Sequence, residues 1–255
     1  MPQPQFTSRV SSPFGSFPPA VKWLLISNTA IFIITGLLPR EFAPHVRLLA
    51  LTPVAVVDHF AIWQLVTYLF LHGGISPALT DPWHLVFNML ALWMFGSPLE
   101  ETWGTRRFLK YYFVCGIGAG VCDVIANALV GSWGTSTIGA SGAIFGLLIA
   151  FGMLFPESTV LMGFLFPIKA KYMVAIYAAV ELYMLRGVNT GVSNFAHLGG
   201  MLVGYIYLKS KLPAVHVRMP DMAGAYRQWK MQRAKRKFQV YMRKHGGPRS
   251  GPWVN

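Results

Sequence analysis

Charge is what this chain has least of. Only 12% of its 255 residues are Asp, Glu, Lys or Arg, where a soluble domain carries about 25%. Acids are scarcer than bases, nine against 22. Cysteine is down to two residues, Cys115 and Cys122. Seven residues of helix rise about 10 Å, too far for a disulfide, and no C-x-x-C pair occurs. A disulfide framework and a paired-cysteine metal or redox site are both excluded, and the two residues read as buried thiols. Histidine spacing is no better suited to a metal. His-Glu-x-x-His is absent, and His84 is followed four residues on by Asn88 rather than by a second His. His45, His59, His216 and His245 show no ligand spacing, and Asp123 and Glu181 sit in no aspartyl-type motif. No metal is expected.

What the chain does have is apolar sequence in long runs. Hydrophobic residues make up 54% of it, and mean hydropathy is +0.45. The runs cover residues 21–38, 82–96, 111–130, 139–155, 172–185 and 193–208. A bilayer core takes about 20 residues of helix, so six spans are predicted and the fold class is an all-α polytopic membrane protein. Lys22 and Trp23 at the first run are suited to the interface. Residues 40–81 alternate apolar stretches with Arg40, Glu41, His45, Arg47, Asp58 and His59, and predict a long amphipathic first loop at the membrane surface. A charged turn is expected after Gly96, and residues 161–171, with Pro167 and two lysines, read as an interfacial connector. Three segments result: a flexible arm over 1–20 without the charged start and short apolar core of a signal peptide, a six-span domain over 21–211, and a basic tail over 212–255.

Net charge is +13, and ten of the 22 basic residues lie in that tail. With the N-terminus inside, nine Lys and Arg outside the tail fall on the inner side against three on the outer. The positive-inside rule then makes both termini cytoplasmic, and a prokaryotic plasma membrane is the expected host. Tyr226, Trp229, Phe238 and Tyr241 are interleaved with the tail's bases, a pattern suited to a partly helical segment on anionic lipid. Nucleic acid is not expected as a partner.

Polar side chains inside a bilayer are costly, so those within the runs are functional candidates. Ser141 stands between Gly139 and Gly142 where the fourth run begins. It is either a helix-capping residue in a tight contact or a nucleophile. A nucleophilic serine needs a base, most often an imidazole, and His197 of the sixth run is available. Gly142 and Gly146 form one small-residue ridge and Gly200 and Gly204 another; such ridges bring membrane helices close. A packing role for these glycines, with a buried serine and histidine, fits the same spacing. His84 and Asn88, four apart on one face of the second run, are either oxyanion donors or a tie between helices. The Ser141 backbone N–H at a helix start also suits an anion. No carboxylate is evident to orient His197, so a catalytic site here would be a Ser-His pair.

Taken together, Gly139-Ala-Ser-Gly142, Ala196-His-Leu-Gly-Gly-Met-Leu-Val-Gly204 and His84-Leu-Val-Phe-Asn88 resemble the rhomboid family of intramembrane serine proteases. Trp63-Gln-Leu-Val-Thr-Tyr-Leu-Phe-Leu-His72 resembles that family's first-loop motif, and Glu100-Glu-Thr-Trp-Gly104 its turn after the second span. The resemblance covers roughly residues 20–210. It implies a six-helix rhomboid bundle that cuts single-pass membrane proteins near the membrane surface without a cofactor. Ser141 would be nucleophile and His197 general base; His84, Asn88 and the backbone around Gly139 and Ser141 would stabilise the oxyanion. Phe145 would pack against His197, and Glu100 would help to hold the first loop. Gln64 stands where the family often has Arg, which bears on a loop contact, and the connection over 73–82 is longer than usual. A catalytically silent rhomboid-like protein that binds membrane clients is the alternative, against which the presence of both Ser141 and His197 speaks.

Overall fold

The computed structural model describes residues 18–73, 82–162, 166–185 and 193–210, together with Met231 and Lys235. The expected arm, the long 73–82 connection and the basic tail lie almost wholly outside these residues. The chain divides into two compact units, Met1–Lys211 and Leu212–Asn255, and the named elements belong to the first. They run α1 (Pro19–Leu37), α2 (Ala43–Arg47), α3 (Pro53–Asp58), α4 (Gln64–Thr67), α5 (Pro82–Trp103), α6 (Thr105–Leu129), α7 (Ser141–Leu154), β1 (Thr159–Met162), β2 (Phe166–Lys169), α8 (Ala170–Met184) and α9 (Asn194–Lys209). Each of the six apolar runs is thus a helix of 14 to 25 residues. α1 and α6 are long and apolar enough to cross a membrane, and α7 is a shorter apolar helix.

The boundary after the second run differs from the expectation. α5 does not stop near Gly96 but continues through Pro98 to Trp103, and the turn falls at Gly104, whose φ of +77° suits glycine. α6 then starts at Thr105 and takes in Arg106, Arg107 and Lys110. Charged residues marked the expected end, yet Glu100 is buried in the helix because its charge is met there. Its two carboxylate oxygens accept from the N–H groups of Ala20 and Val21, each at 2.8 Å. Thr105 Oγ1 donates to it at 2.7 Å. These N–H groups belong to the first turn of α1, which has no partner for them within the helix and favours negative charge. Among the described residues, Glu100 thus fastens α1 to the α5–α6 corner.

The connector after α7 is also more regular than expected. β1 and β2 form an antiparallel hairpin with Thr159 opposite Lys169 and Met162 opposite Phe166. Thr159, Val160 and Ile168 are β-branched, which suits a pleated strand. At the hairpin's base Lys169 and Lys171 both reach Glu157, at 2.6 and 2.5 Å. Their hydrogen bonds hold the Glu157 carboxyl down at about 2.

The centre of the unit is the packing of α6, α7 and α9. The predicted small-residue ridges face each other: a Cβ placed on Gly200 would lie 1.9 Å from the Gly142 carbonyl oxygen, and one on Gly204 3.2 Å from Gly146 Cα. α6 joins them through Tyr111, whose hydroxyl donates to the Gly146 carbonyl at 2.8 Å, and through buried Cys115. Cys122 is half-buried, where a buried thiol was expected. Large apolar side chains left outward include Ile33, Ile34 and Leu37 of α1, Phe87 of α5 and Leu129 of α6. A helix bundle standing in hydrocarbon needs no polar coat on such faces.

Candidate active site

Ser141 is not a helix cap. The cap position of α7 is Ala140, and Ser141 is the first helical residue. Its hydroxyl lies 2.8 Å from His197 Nε2. His197 is 5% exposed, and the ring of Phe145, one turn along α7, stacks on it with centroids 4.1 Å apart and planes 17° off parallel. Tyr177 of α8 meets Phe145 edge-on at 6.2 Å. The hydroxyl and imidazole come together where the backbones of α7 and α9 touch at glycine.

The strand of loop leading into α7 is fixed from the first loop. Leu51 and Thr137 exchange both backbone hydrogen bonds, at 3.0 and 2.8 Å, and the Val54 N–H donates to the Trp133 carbonyl at 3.1 Å. The Gly139 N–H donates to the Tyr68 carbonyl at 2.9 Å. That N–H is thus engaged, and Gly139 is not placed as an oxyanion donor. Its contribution is conformational. Its φ is +115°, and a Cβ there would lie 2.8 Å from His84 Nε2 and 3.7 Å from Asn88 Nδ2. Glycine thereby lets two side chains of α5 close on the turn before Ser141. Tyr68 in turn donates its hydroxyl to the Gly116 carbonyl of α6 at 2.7 Å.

Gln64 takes up the loop contact that its identity had put in question. It is 2% exposed; its Oε1 accepts from the Thr52 N–H at 3.0 Å and its Nε2 donates to the Leu48 carbonyl at 3.1 Å. Trp63 Nε1 donates to the same carbonyl at 3.0 Å. A neutral amide closes this loop with one donor and one acceptor.

Three groups near the site were not assigned from sequence. His72, 1% exposed, accepts the Ala140 N–H on Nε2 at 3.2 Å and has its ring centroid 5.3 Å from that of His84. Burial, and secondly the charge of His84, holds the His72 imidazole down at about 3. Asp123 of α6 is buried and accepts from Thr137 Oγ1 at 2.9 Å, Asn127 Nδ2 at 3.0 Å and the Ser193 hydroxyl. Ser193 also caps α9 by accepting the Ala196 N–H at 3.1 Å, so Asp123 ties the start of α9 to the loop before α7. Finally, Glu181 of α8 puts Oε1 2.9 Å from His197 Nδ1, and its Oε2 accepts from Asn194 Nδ2 at 2.8 Å. A carboxylate does meet the imidazole, where the sequence had offered none. The only local signal was one acid in an otherwise apolar run, and its partner lies sixteen residues on, in the next helix.

A serine hydroxyl on an imidazole, beside polar side chains at a helix start, has the parts needed for acyl transfer. Comparison with known proteins places the fold. The rhomboid domain family matches residues 59–213. Rhomboid-like protease 3 of Toxoplasma gondii is 33% identical over 193 residues, covering 74% of this chain and 68% of that protein. Mitochondrial rhomboid protein 1 of Saccharomyces cerevisiae is 37% identical over 133 residues, 49% of this chain and 37% of that one. Mitochondrial rhomboid-like protein 14 of Arabidopsis thaliana is 28% identical over 203 residues, with 76% and 56% covered. The chain belongs to the rhomboid family, a family of membrane proteins. It spans about a third to two thirds of the length of these relatives. All three are eukaryotic and lend no support to a prokaryotic host membrane.

Proposed function

We propose that the chain is an intramembrane serine endopeptidase that cuts single-pass membrane proteins within or beside the bilayer. The observation that carries this reading is the 2.8 Å contact between Ser141 Oγ and His197 Nε2. The hydroxyl proton passes to Nε2 as Oγ bonds to the scissile carbonyl carbon, and the carbonyl oxygen takes the negative charge. His84 and Asn88 of α5 and the Ser141 N–H at the start of α7 stabilise that charge. Collapse breaks the C–N bond, and the leaving amine takes the proton from His197. Water, deprotonated by the same ring, then releases the acyl group and restores Ser141. Phe145 holds the ring plane throughout. Neither a metal nor a cofactor enters these steps.

The proposed setting is a six-span bundle with both termini cytoplasmic and the N-terminal end of α7 toward the opposite face. The basic tail lies against anionic lipid. A fluorophosphonate probe, which phosphonylates an activated serine, tests the chemistry on protein purified in detergent micelles. The expected result is labelling of wild type and none of Ser141→Ala or His197→Ala, with parallel loss of cleavage of a single-span reporter. Cleavage by purified Ser141→Ala would overturn the mechanism. A wild-type protein that takes no label and cuts no reporter would favour a silent, client-binding relative.

A further inference from the structure

Glu181 gains a role in turnover only if His197 is the base of the proposed peptidase, and the inference rests on that reading. An imidazole accepts a proton on Nε2 only if its proton sits on Nδ1. Nothing in the contact between Ser141 and Nε2 decides that tautomer, since a hydroxyl can donate or accept. The other side of the ring does. Glu181 Oε1 is 2.9 Å from Nδ1, and an ionised carboxylate offers no proton, so the hydrogen between them belongs to Nδ1. The lone pair of Nε2 then points at Ser141.

The carboxylate is itself held. Asn194 and His197 are three apart on α9 and so share a face, and Glu181 of α8 reaches both with one oxygen each. Because the carboxylate accepts, Asn194 must donate with Nδ2. This fixes the order of donors and acceptors along a chain from Asn194 through Glu181 and His197 to Ser141. Glu181 is 8% exposed. Asp123 of α6 has its oxygens engaged by Thr137, Asn127 and Ser193. Phe145 covers the ring face. Among the described residues Glu181 is thus the carboxylate in contact with the ring.

We infer that Glu181, locked by Asn194, is a positioning residue for the general base, so the site acts as Ser141–His197–Glu181 rather than as a Ser-His pair. It sets the tautomer before attack and faces the imidazolium that forms when Ser141 gives up its proton. A purely structural role for Glu181, tying α8 to α9, predicts loss of stability without a selective loss of turnover.

The test uses the full chain in micelles, with rates taken per folded molecule and thermal midpoints measured alongside. In Glu181→Gln the counter-charge is gone, and the amide nitrogen can donate to Nδ1, which forces the proton onto Nε2. Replacing the acid of such a triad by its amide lowers kcat by about 10⁴ in the worked serine-protease case. The expected result here is a fall in kcat and in fluorophosphonate labelling of about 10²–10⁴ with little change in KM. Glu181→Gln/Asn194→Asp returns a carboxylate one place along the chain. It accepts from the Gln amide nitrogen and turns the Gln oxygen back to Nδ1. Recovery of about tenfold or more over the single variant is expected. Activity of Glu181→Gln within about threefold of wild type overturns the inference, and so does a double variant no faster than the single one. Failure of wild type itself to label would instead overturn the proposed function, so the two are separable.

Discussion

The contact most exposed to refutation is the one between α7 and α9. A Cβ on Gly200 would stand 1.9 Å from the Gly142 carbonyl oxygen and 2.8 Å from its carbonyl carbon. Carbon and oxygen of neighbouring helices come no closer than about 3.3 Å. In Gly200→Ala the two backbones must therefore part by about 1.4 Å, since the obstacle is main chain and cannot rotate away. Ser141 and His197 sit on those two helices at 2.8 Å. The same separation takes them to roughly 4 Å, beyond hydrogen-bonding range. A misplacement of this size costs about a hundredfold in rate, while overpacking costs about 1–3 kcal/mol in stability. Steady-state cleavage of a single-span reporter and thermal unfolding in micelles measure the two effects. Gly118→Ala is a graded comparison, because the atoms nearest its Cβ would be those of the Val203 side chain, from 2.7 Å, and a smaller loss is expected. Gly134→Ala, with nothing within 4 Å, should leave activity unchanged. If Gly200→Ala retains kcat/KM within about threefold of wild type, glycine contact is not what brings the base to the serine.

Two further outcomes follow from buried polar groups. Glu100→Ala strips the first turn of α1 of both its acceptors at 2.8 Å and should lower stability by about 1.5–3 kcal/mol, the range for hydrogen bonds to a charged group. Thermal unfolding checks this, and labelling of Ser141 per folded molecule should be unaffected. His72 has its folded-state value held down at about 3, against about 6.5 when unfolded. As pH falls below 6.5 the unfolded chain binds a proton that the native one does not, and stability drops by up to about 1.4 kcal/mol per pH unit until the pH nears 3. His72→Gln, which still offers an acceptor to the Ala140 N–H, should unfold with a shallower pH dependence between 6.5 and 5. An unchanged slope would remove His72 as its source.

The glycine ridges and the Glu181 contact differ in how far sequence can see them, and the reason is physical. A ridge at i and i+4 is a periodic statement about one helix face, and two such faces with small residues can pack closely in few ways. Spacing therefore gave a way for Ser141 and His197 to meet while leaving a packing role open, and Gly142 against Gly200 is where the two helices touch. The six helices were legible for the same kind of reason, since apolar length is a property of a run and not of a contact. Their ends were not. Charge suggested the end of the second run, but Glu100 is satisfied by backbone N–H groups some eighty residues earlier, and no local pattern announces that. The hairpin at 159–169 was equally hidden, because four-residue strands carry too little alternation to stand out beside long apolar helices. Glu181 is the sharpest case. A lone acid in an apolar run has only two good outcomes, protonation or a buried partner. Which partner it takes depends on how α8 lies along α9, and that is set by packing outside its own segment. Sequence could mark Glu181 as a residue in need of a partner; only the fold could place His197 Nδ1 on one of its oxygens and Asn194 on the other.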